Sequence, residues 1–156
     1  GKRLEYVDPM DREKKYTPYI IETSAGADRT LLVILMDAYR EEDLEGGEKR
    51  VVLALHPKLA PVKAAIFPLV NKDGMPEVAT RIHEGLRRVG IKSQYDDSGA
   101  IGKRYRRHDE IGTPFCLTVD GQSSTDQSVT VRERDSMQQV RISVGSIEDY
   151  LLERVR

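Results

Sequence analysis

A single cysteine, Cys116, stands among 156 residues, inside an apolar run. This excludes an internal disulfide and suits a reducing cytoplasm. The longest apolar run, Leu31 to Met36, is far too short to cross a bilayer, and the opening Gly1-Lys-Arg-Leu-Glu-Tyr6 carries no apolar signal core. Charge of one sign is also lacking. Lys and Arg number 25 and Asp and Glu 26, for a net charge of −1. No whole-molecule field marks the chain for a polyanion, so any nucleic-acid site must be a local patch. The three histidines, His56, His83 and His108, show no ligand spacing with one another or with Cys116, and no metal site is expected. Repeats, low-complexity segments, a nucleophile elbow and a P-loop are absent. The length suits one ordinary domain, or one domain and a fragment.

What is present centres on residues 95–118. The segment leaves a strand end at Tyr95, turns through Ser98 and Gly99, and enters a short basic helix. It exits through Gly112 and Pro114 into the apolar Phe115-Cys-Leu-Thr-Val119. Lys103, Arg104, Arg106 and Arg107 flank one ring, Tyr105, and Asp109 and Glu110 follow at once. Cations neutralise phosphates, and a ring among them can stack on an unpaired base. On charge alone, a solvated helix face balanced by the adjacent acids is the better reading. Gly99-Ala-Ile-Gly102 has the Gly-x-x-Gly spacing that clamps RNA backbone in one module class, although such glycines more often serve turn chemistry. Arg132 and Arg134 alternate onto one face of a strand, where they extend the patch or solubilise an edge.

Residues 1–16 read as a solvated connector and 17–23 as a strand rich in β-branched and aromatic residues. A helix is predicted over about 27–40. Its stretch Leu31-Leu-Val-Ile-Leu-Met36 is apolar on every face, and such a helix must be surrounded. The next hundred residues lack the spare apolar surface to do so. The helix is therefore expected to pack in a body outside this chain or on a partner. Residues 41–50 read as an exposed acidic loop and 51–55 as a short buried strand, with a boundary at Pro61. From Val62 the pattern is regular. A strand over 62–70, with Pro68 marking an edge or an end, leads through a turn at 71–74 to a helix between Pro76 and Gly90. Val78, Ile82, Leu86 and Val89 form its stripe, and His83 flanks it. A strand over 91–95 follows, implying a parallel crossover. Strand 115–119, polar loop 120–127, an antiparallel hairpin of 129–134 with 140–144, and a closing helix facing the core through Ile147, Tyr150, Leu151 and Val155 complete the chain. The expected fold is α/β, a mixed five-stranded sheet with about three helices. The expected organisation is 1–50, a connecting 51–61, and 62–156.

A second constellation lies upstream. In Glu22-Thr-Ser-Ala-Gly-Ala-Asp-Arg29 a strand would deliver Glu22 and Ser24 on one side. Gly26 allows close backbone approach, and Arg29 opens a helix. A carboxylate and a hydroxyl two residues apart can hold a small ammonium group, and an arginine at a helix start can grip phosphates. The same residues suit a strand-to-helix turn with a salt bridge, and the residues alone leave both readings open.

Tyr19-Ile-Ile-Glu-Thr-Ser-Ala-Gly-Ala-Asp-Arg-Thr-Leu-Leu32 resembles motif 3 of the class II aminoacyl-tRNA synthetases, in the form found in the dimeric glycyl-tRNA synthetases. Leu55-His-Pro-Lys-Leu-Ala-Pro-Val-Lys-Ala-Ala-Ile-Phe-Pro-Leu69 resembles that family's entry into its anticodon-binding domain. The runs Asp96 to Phe115 and Val131-Arg-Glu-Arg-Asp-Ser-Met137 are similar to its signatures. The resemblance covers nearly the whole chain. It implies that Glu22, Thr23, Ser24, Ala25 and Gly26 line a glycine pocket, with Glu22 and Ser24 recognising the amino group and the small size. It implies that Gly26, Ala27, Asp28 and Arg29 border ATP, with Arg29 as the catalytic residue holding the γ-phosphate and stabilising charge moving onto pyrophosphate. It implies that residues from about Val62 on read the anticodon of glycine tRNA, with Lys103, Arg104, Tyr105, Arg107, Arg132 and Arg134 as the tRNA-binding set.

The same resemblance implies a homodimeric cytoplasmic parent that uses ATP with magnesium, no membrane, and no cofactor bound by this piece. Motifs 1 and 2 of the family are absent from the sequence, so the expectation is a C-terminal part of a longer enzyme, with 1–50 a catalytic-domain remnant, inactive alone. The competing readings are a non-catalytic interaction subunit on the same fold and a stand-alone ligand-binding α/β domain. The latter needs a Gly-rich phosphate loop after its first strand, which Pro68 to Gly74 does not supply.

Overall fold

The computed structural model describes residues 5–44 and 46–155, and the chain divides into two compact units, Gly1–Leu31 and Leu32–Arg156. In the first, the stretch expected to be an irregular connector forms a small antiparallel ribbon, β1 (Tyr6–Val7) against β2 (Lys15–Tyr16). Its turn has a local cause. The carboxylates of Asp8 and Asp11 each accept a backbone N–H two residues on, at 2.9 and 3.2 Å, which favours a turn over continuation. The strand expected over 17–23 is not formed. The segment is exposed throughout, Tyr19 completely so at 101%, and no strand among the described residues pairs with it. β-branched residues favour a strand only where a neighbour supplies the ladder.

α1 (Ala27–Ala38) starts after Gly26, whose carbonyl accepts the Thr30 N–H at 2.9 Å and its hydroxyl at 3.0 Å. The boundary between the two units falls within this helix. Its C-terminal part exposes Leu32, Leu35, Val33 at 65% and Met36 at 70%. Ile34 and Ala38 alone of residues 32–38 turn inward, onto Leu53, Leu55 and Ala60. The helix ends two residues earlier than expected, and the supposed acidic loop is a hairpin, β3 (Tyr39–Asp43) with β4 (Lys49–Leu53). Gly46 and Gly47, at φ 94° and 81°, make its turn.

The rest is β5 (Ala64–Pro68), α2 (Met75–Arg88), β6 (Ser93–Tyr95), α3 (Ile101–Glu110), β7 (Phe115–Val119), α4 (Ser123–Asp126), β8 (Ser128–Glu133), β9 (Gln139–Ser143) and α5 (Ile147–Val155). The strands form the expected mixed five-stranded sheet in the order β6-β5-β7-β8-β9. β5 runs parallel to both β6 and β7, and β7, β8 and β9 alternate antiparallel. The three full helices α2, α3 and α5 are as expected, and α4 adds one turn inside the polar loop. Pro68 ends β5, where its missing N–H breaks no ladder.

Alternation along the strands decides which helix covers which face. Ala64, Ile66, Leu117, Val129 and Val131 meet Met75, Ala79, Ile82 and Leu86 of α2 and Ile147, Leu151 and Val155 of α5. Val78 and Val89 of the expected stripe lie at the margin of this core. His83, beside the stripe, meets the Ser93 hydroxyl at 2.8 Å. On the other face Ala65, Phe67 and Cys116 lie under Ile101 and Tyr105 of α3. Burial pushes the Cys116 thiol well up, so it stays protonated and acts as a small core side chain.

Candidate nucleic-acid interface

α3 is the most charged helix of the chain and also one of the most enclosed. Arg104, His108 and Asp109 are all buried. Guanidinium groups carry five fixed donors, so an arginine can be buried where carbonyls converge. Arg104 donates to the Gly99 carbonyl at 3.1 and 2.8 Å, to the Asp97 carbonyl at 2.9 Å, and to the Pro68 carbonyl. It ties the ends of β5 and β6 to the start of the helix. The Gly99-x-x-Gly102 loop is therefore closed on an internal arginine, and Gly99 is needed for its φ of 75°.

Arg107 donates to the Asp96 carboxylate at 2.6 Å and to the Ser98 carbonyl and hydroxyl. Burial would raise the Asp96 carboxyl, but the bonds from Arg107 and the Ser98 N–H outweigh it and hold it below its ordinary value. Near the other end of α3, Asp109 is fully buried. It accepts Arg50 Nε at 2.8 Å and Arg132 Nη1 and Nη2 at 2.9 and 3.1 Å, and Arg106 lies 3.8 Å away. Arg50 also bonds Glu42, its cross-strand partner, at 2.8 Å, and the Arg134 carbonyl. Burial works against the charge on Arg50, and Asp109 and Glu42 together outweigh it. Arg134, 1% exposed, donates to the Gly112 and Leu55 carbonyls at 2.8 Å and to Asp135. Gly112 is required at its position. A Cβ there would lie 2.8 Å from the Leu53 carbonyl oxygen, so the β3–β4 hairpin closes directly on the exit of α3.

These contacts show how the expected tRNA-binding residues are engaged within the chain. Arg104, Arg132 and Arg134 spend their donors on internal acceptors and present no free cation, and Arg107 is largely committed to Asp96 and Ser98. Tyr105 is not a free stacking platform. Its hydroxyl meets the Thr118 hydroxyl at 2.6 Å, the Arg132 guanidinium covers its ring at 4.9 Å, and Phe67 meets it edge-on at 5.3 Å. Arg132 in β8 and Arg134 just past its end are both buried. Lys103 remains exposed.

An open groove of about 570 Å³ runs beside α3, lined by Lys103, Tyr105, Arg106, Arg132, Met137 and Gln139 among others. It combines the exposed Lys103, the half-buried Arg106, an amide and an apolar thioether, and its size suits a nucleotide-sized group. Arg106, named among the helix cations, was left out of the expected tRNA-binding set, as were Met137 and Gln139, and the pairing of Arg50 with Asp109 was not foreseen. The only available signal was the alternation of Arg50 with Val52, which places both on one side of a strand.

The upstream constellation is built differently. Residues 11–30 are exposed without exception, so Glu22, Thr23, Ser24, Ala25, Gly26, Ala27, Asp28 and Arg29 all stand on the surface. A Cβ at Gly26 would meet the stem of Arg29, whose carbons lie 3.8 Å away. Among the described residues, no three His, Cys, Asp or Glu side chains gather to hold a metal ion, and no helix is long and apolar enough to cross a membrane.

Comparison with known proteins places these features. A family model described as "Anticodon binding domain" matches residues 63–154. The chain is 49% identical, over its full length, to 33% of the glycine–tRNA ligase of Clostridium acetobutylicum. It is 55% identical over 150 residues, 96% of the chain, to 33% of the glycine–tRNA ligase of Borreliella burgdorferi. It is 51% identical over its full length to 33% of that of Caldanaerobacter subterraneus. The chain thus spans about a third of the length of these relatives. Among solved structures, prolyl-tRNA synthetase from Cryptosporidium parvum complexed with L-proline and AMP superposes with a TM-score of 0.60 at 22% identity, over 73% of this chain and 30% of that one. Its complex with halofuginone and AMPPNP gives 0.61 at 21%, over 72% and 29%. These two likenesses show the fold.

Proposed function

The chain belongs to the anticodon-binding-domain family, and from that premise we propose that it binds the anticodon region of glycine tRNA. The observation that carries the reading is the 49–55% identity to glycine–tRNA ligases over 96–100% of the chain. The groove beside α3 is the proposed seat of the unpaired anticodon bases. Lys103 and Arg106 face their phosphates there, and Gln139 and Met137 meet base edges and faces. Arg104, Arg107, Arg132 and Arg134 act behind that surface. They hold α3, the 96–100 loop and β8 in register, so the groove is shaped before RNA arrives.

The parent is proposed to be a cytoplasmic, homodimeric enzyme that activates glycine with ATP and transfers it to tRNA. Glu22 to Gly26 would contribute to its glycine pocket and Gly26 to Arg29 to its ATP site. The exposed apolar flank of α1 supports this, because such a surface needs cover, and the remaining catalytic part of the same protein is its proposed partner. Magnesium accompanying ATP would take its ligands from that part. The reading as a non-catalytic interaction subunit has no observation of its own.

Titrating the chain with an anticodon stem-loop of glycine tRNA and with one altered in the anticodon bases, across a salt series, tests the reading. Tighter binding of the glycine sequence at every salt concentration is expected. Equal binding of both would overturn it, since phosphate contacts alone carry no sequence information. The chain alone is expected to show no glycine-dependent pyrophosphate exchange.

A further inference from the structure

On the sheet face opposite α3, four cations stand outside any ion pair among the described residues. Arg87 and Arg88 close α2, Arg81 stands two turns earlier on the same helix, and Lys92 precedes edge strand β6. All four are exposed. Among the described residues none has a carboxylate within ion-pairing distance, whereas Arg50, Arg107, Arg132, Arg134, Arg141 and Arg154 each do. Lys63 adds to the crowding. Its ammonium is held by the carbonyls of Pro57 and Lys58 at 2.7 and 2.8 Å. Burial lowers its affinity for the proton, and the neighbouring charge of Lys92 lowers it further. Exposed like charges that no carboxylate pairs favour an anion beside them.

That space has a shape. Three shallow depressions adjoin one another, one between Arg81, Arg88 and Glu148, one between Glu84, Arg87 and Arg88, and one between Arg87, Gly90, Lys92 and Ser93. Glu84 and Glu148 are the acids in reach, two against four exposed cations. Two arginines in the last turn of a helix also suit its dipole, but that accounts for neither Arg81 nor the approach of Lys92 to Lys63.

We infer that the α2–β6 edge is a second RNA contact, binding backbone phosphates of a base-paired stem without regard to sequence, apart from the groove beside α3. Separate depressions flanked by arginines fit successive phosphates, whose oxygens a guanidinium grips in pairs. The RNA partner rests on the function proposed above; the cation cluster does not.

The test compares the chain with its Arg81→Gln/Arg87→Gln/Arg88→Gln variant and with Lys92→Gln. The ligands are glycine and altered-anticodon stem-loops across a potassium chloride series. Glutamine keeps helix propensity at exposed sites, and a thermal melt verifies folding. The triple variant is expected to weaken both stem-loops by the same factor. It should reduce the slope of log K against log salt by about 2 to 3 and Lys92→Gln by about 1, at about one for each phosphate no longer neutralised. The preference between the stem-loops should stay unchanged. An unchanged slope overturns the inference, as does a changed preference, which would make the edge a base reader. Competition by poly-glutamate as strong as that by duplex RNA of equal charge also overturns it, in favour of an acidic protein partner. If the unaltered chain fails to distinguish the two stem-loops, the function proposed above falls, and the slope difference still decides the edge.

Discussion

α1 and α3 are helices of 12 and 10 residues whose compositions and environments are exchanged. α1 carries Leu31-Leu-Val-Ile-Leu-Met36 and leaves most of it on the surface. α3 carries Lys103-Arg-Tyr-Arg-Arg-His-Asp-Glu110 and buries Arg104, His108 and Asp109. The difference shows what burial requires. A charged side chain can leave water when each donor finds an acceptor, as the paired network around Asp109 does. Every buried side-chain nitrogen and oxygen among the described residues has a partner. An apolar side chain can leave water only when another surface arrives to cover it, and among the described residues Leu53, Leu55 and Ala60 do so for α1, at Ile34 and Ala38. α1 keeps an apolar flank uncovered among the described residues, and α3 has its charged groups paired within its own unit.

The largest expected effect breaks the comparison at α3. Asp109→Asn leaves Arg50 and Arg132 as buried cations without their shared carboxylate, and should cost about 3–5 kcal/mol of folding stability. Urea denaturation measures it, and a loss under about 1 kcal/mol would mean that the network is not what holds the β3–β4 hairpin to α3. Next comes a matched pair of leucine truncations. Leu86→Ala, in the core between α2 and the sheet, should lose about 2–5 kcal/mol. Leu32→Ala on α1 should change stability by less than about 0.5 kcal/mol. Comparable losses at the two sites would show that α1 is covered in solution.

A smaller effect sharpens the picture of α3 through pH. Burial lowers the His108 imidazole, Arg107 adds to this, and Asp96 and Asp109 oppose it. The unfolded chain therefore takes up a proton near pH 6.5 that the folded chain refuses. Stability is full above that pH and declines as pH falls below it, until the folded imidazole protonates too. Unfolding titrations between pH 7.5 and 5 should show the decline. His108→Gln should flatten it, leaving the share of half-buried His83, which burial also lowers. The smallest effect on stability belongs to Lys103→Ala. It should leave the urea midpoint in place while weakening stem-loop binding several-fold, unlike Arg104→Ala, which strips four internal bonds and should shift the midpoint.

Much of the fold was legible because its signals are local. The 3.6-residue stripe of α2, the glycine after it, the alternation in β8 and β9, and the apolar run of β7 depend on neighbours in sequence. The errors arose where a partner far along the chain decides. Residues 17–23 carry strand propensity with no strand to pair with, and 41–50 look like a solvated loop until Arg50 meets Asp109. Side-chain surroundings at the site are the least legible in sequence. A run of cations looks the same in sequence whether its acceptors are phosphates or the carbonyls of Pro68, Asp97 and Gly99.

By itself the sequence determined the order of the five sheet strands and of α2, α3 and α5, the covered faces of α2 and α5, and the family resemblance. The first two follow from propensity, periodicity and turn chemistry, which act within a few residues, and the third from whole motifs matched in order. Tertiary structure alone decided which arginines are internal ties and which remain free, because a guanidinium's role depends on acceptors brought to it across 59, 36 or 79 residues of chain, as for Arg50, Arg104 and Arg134.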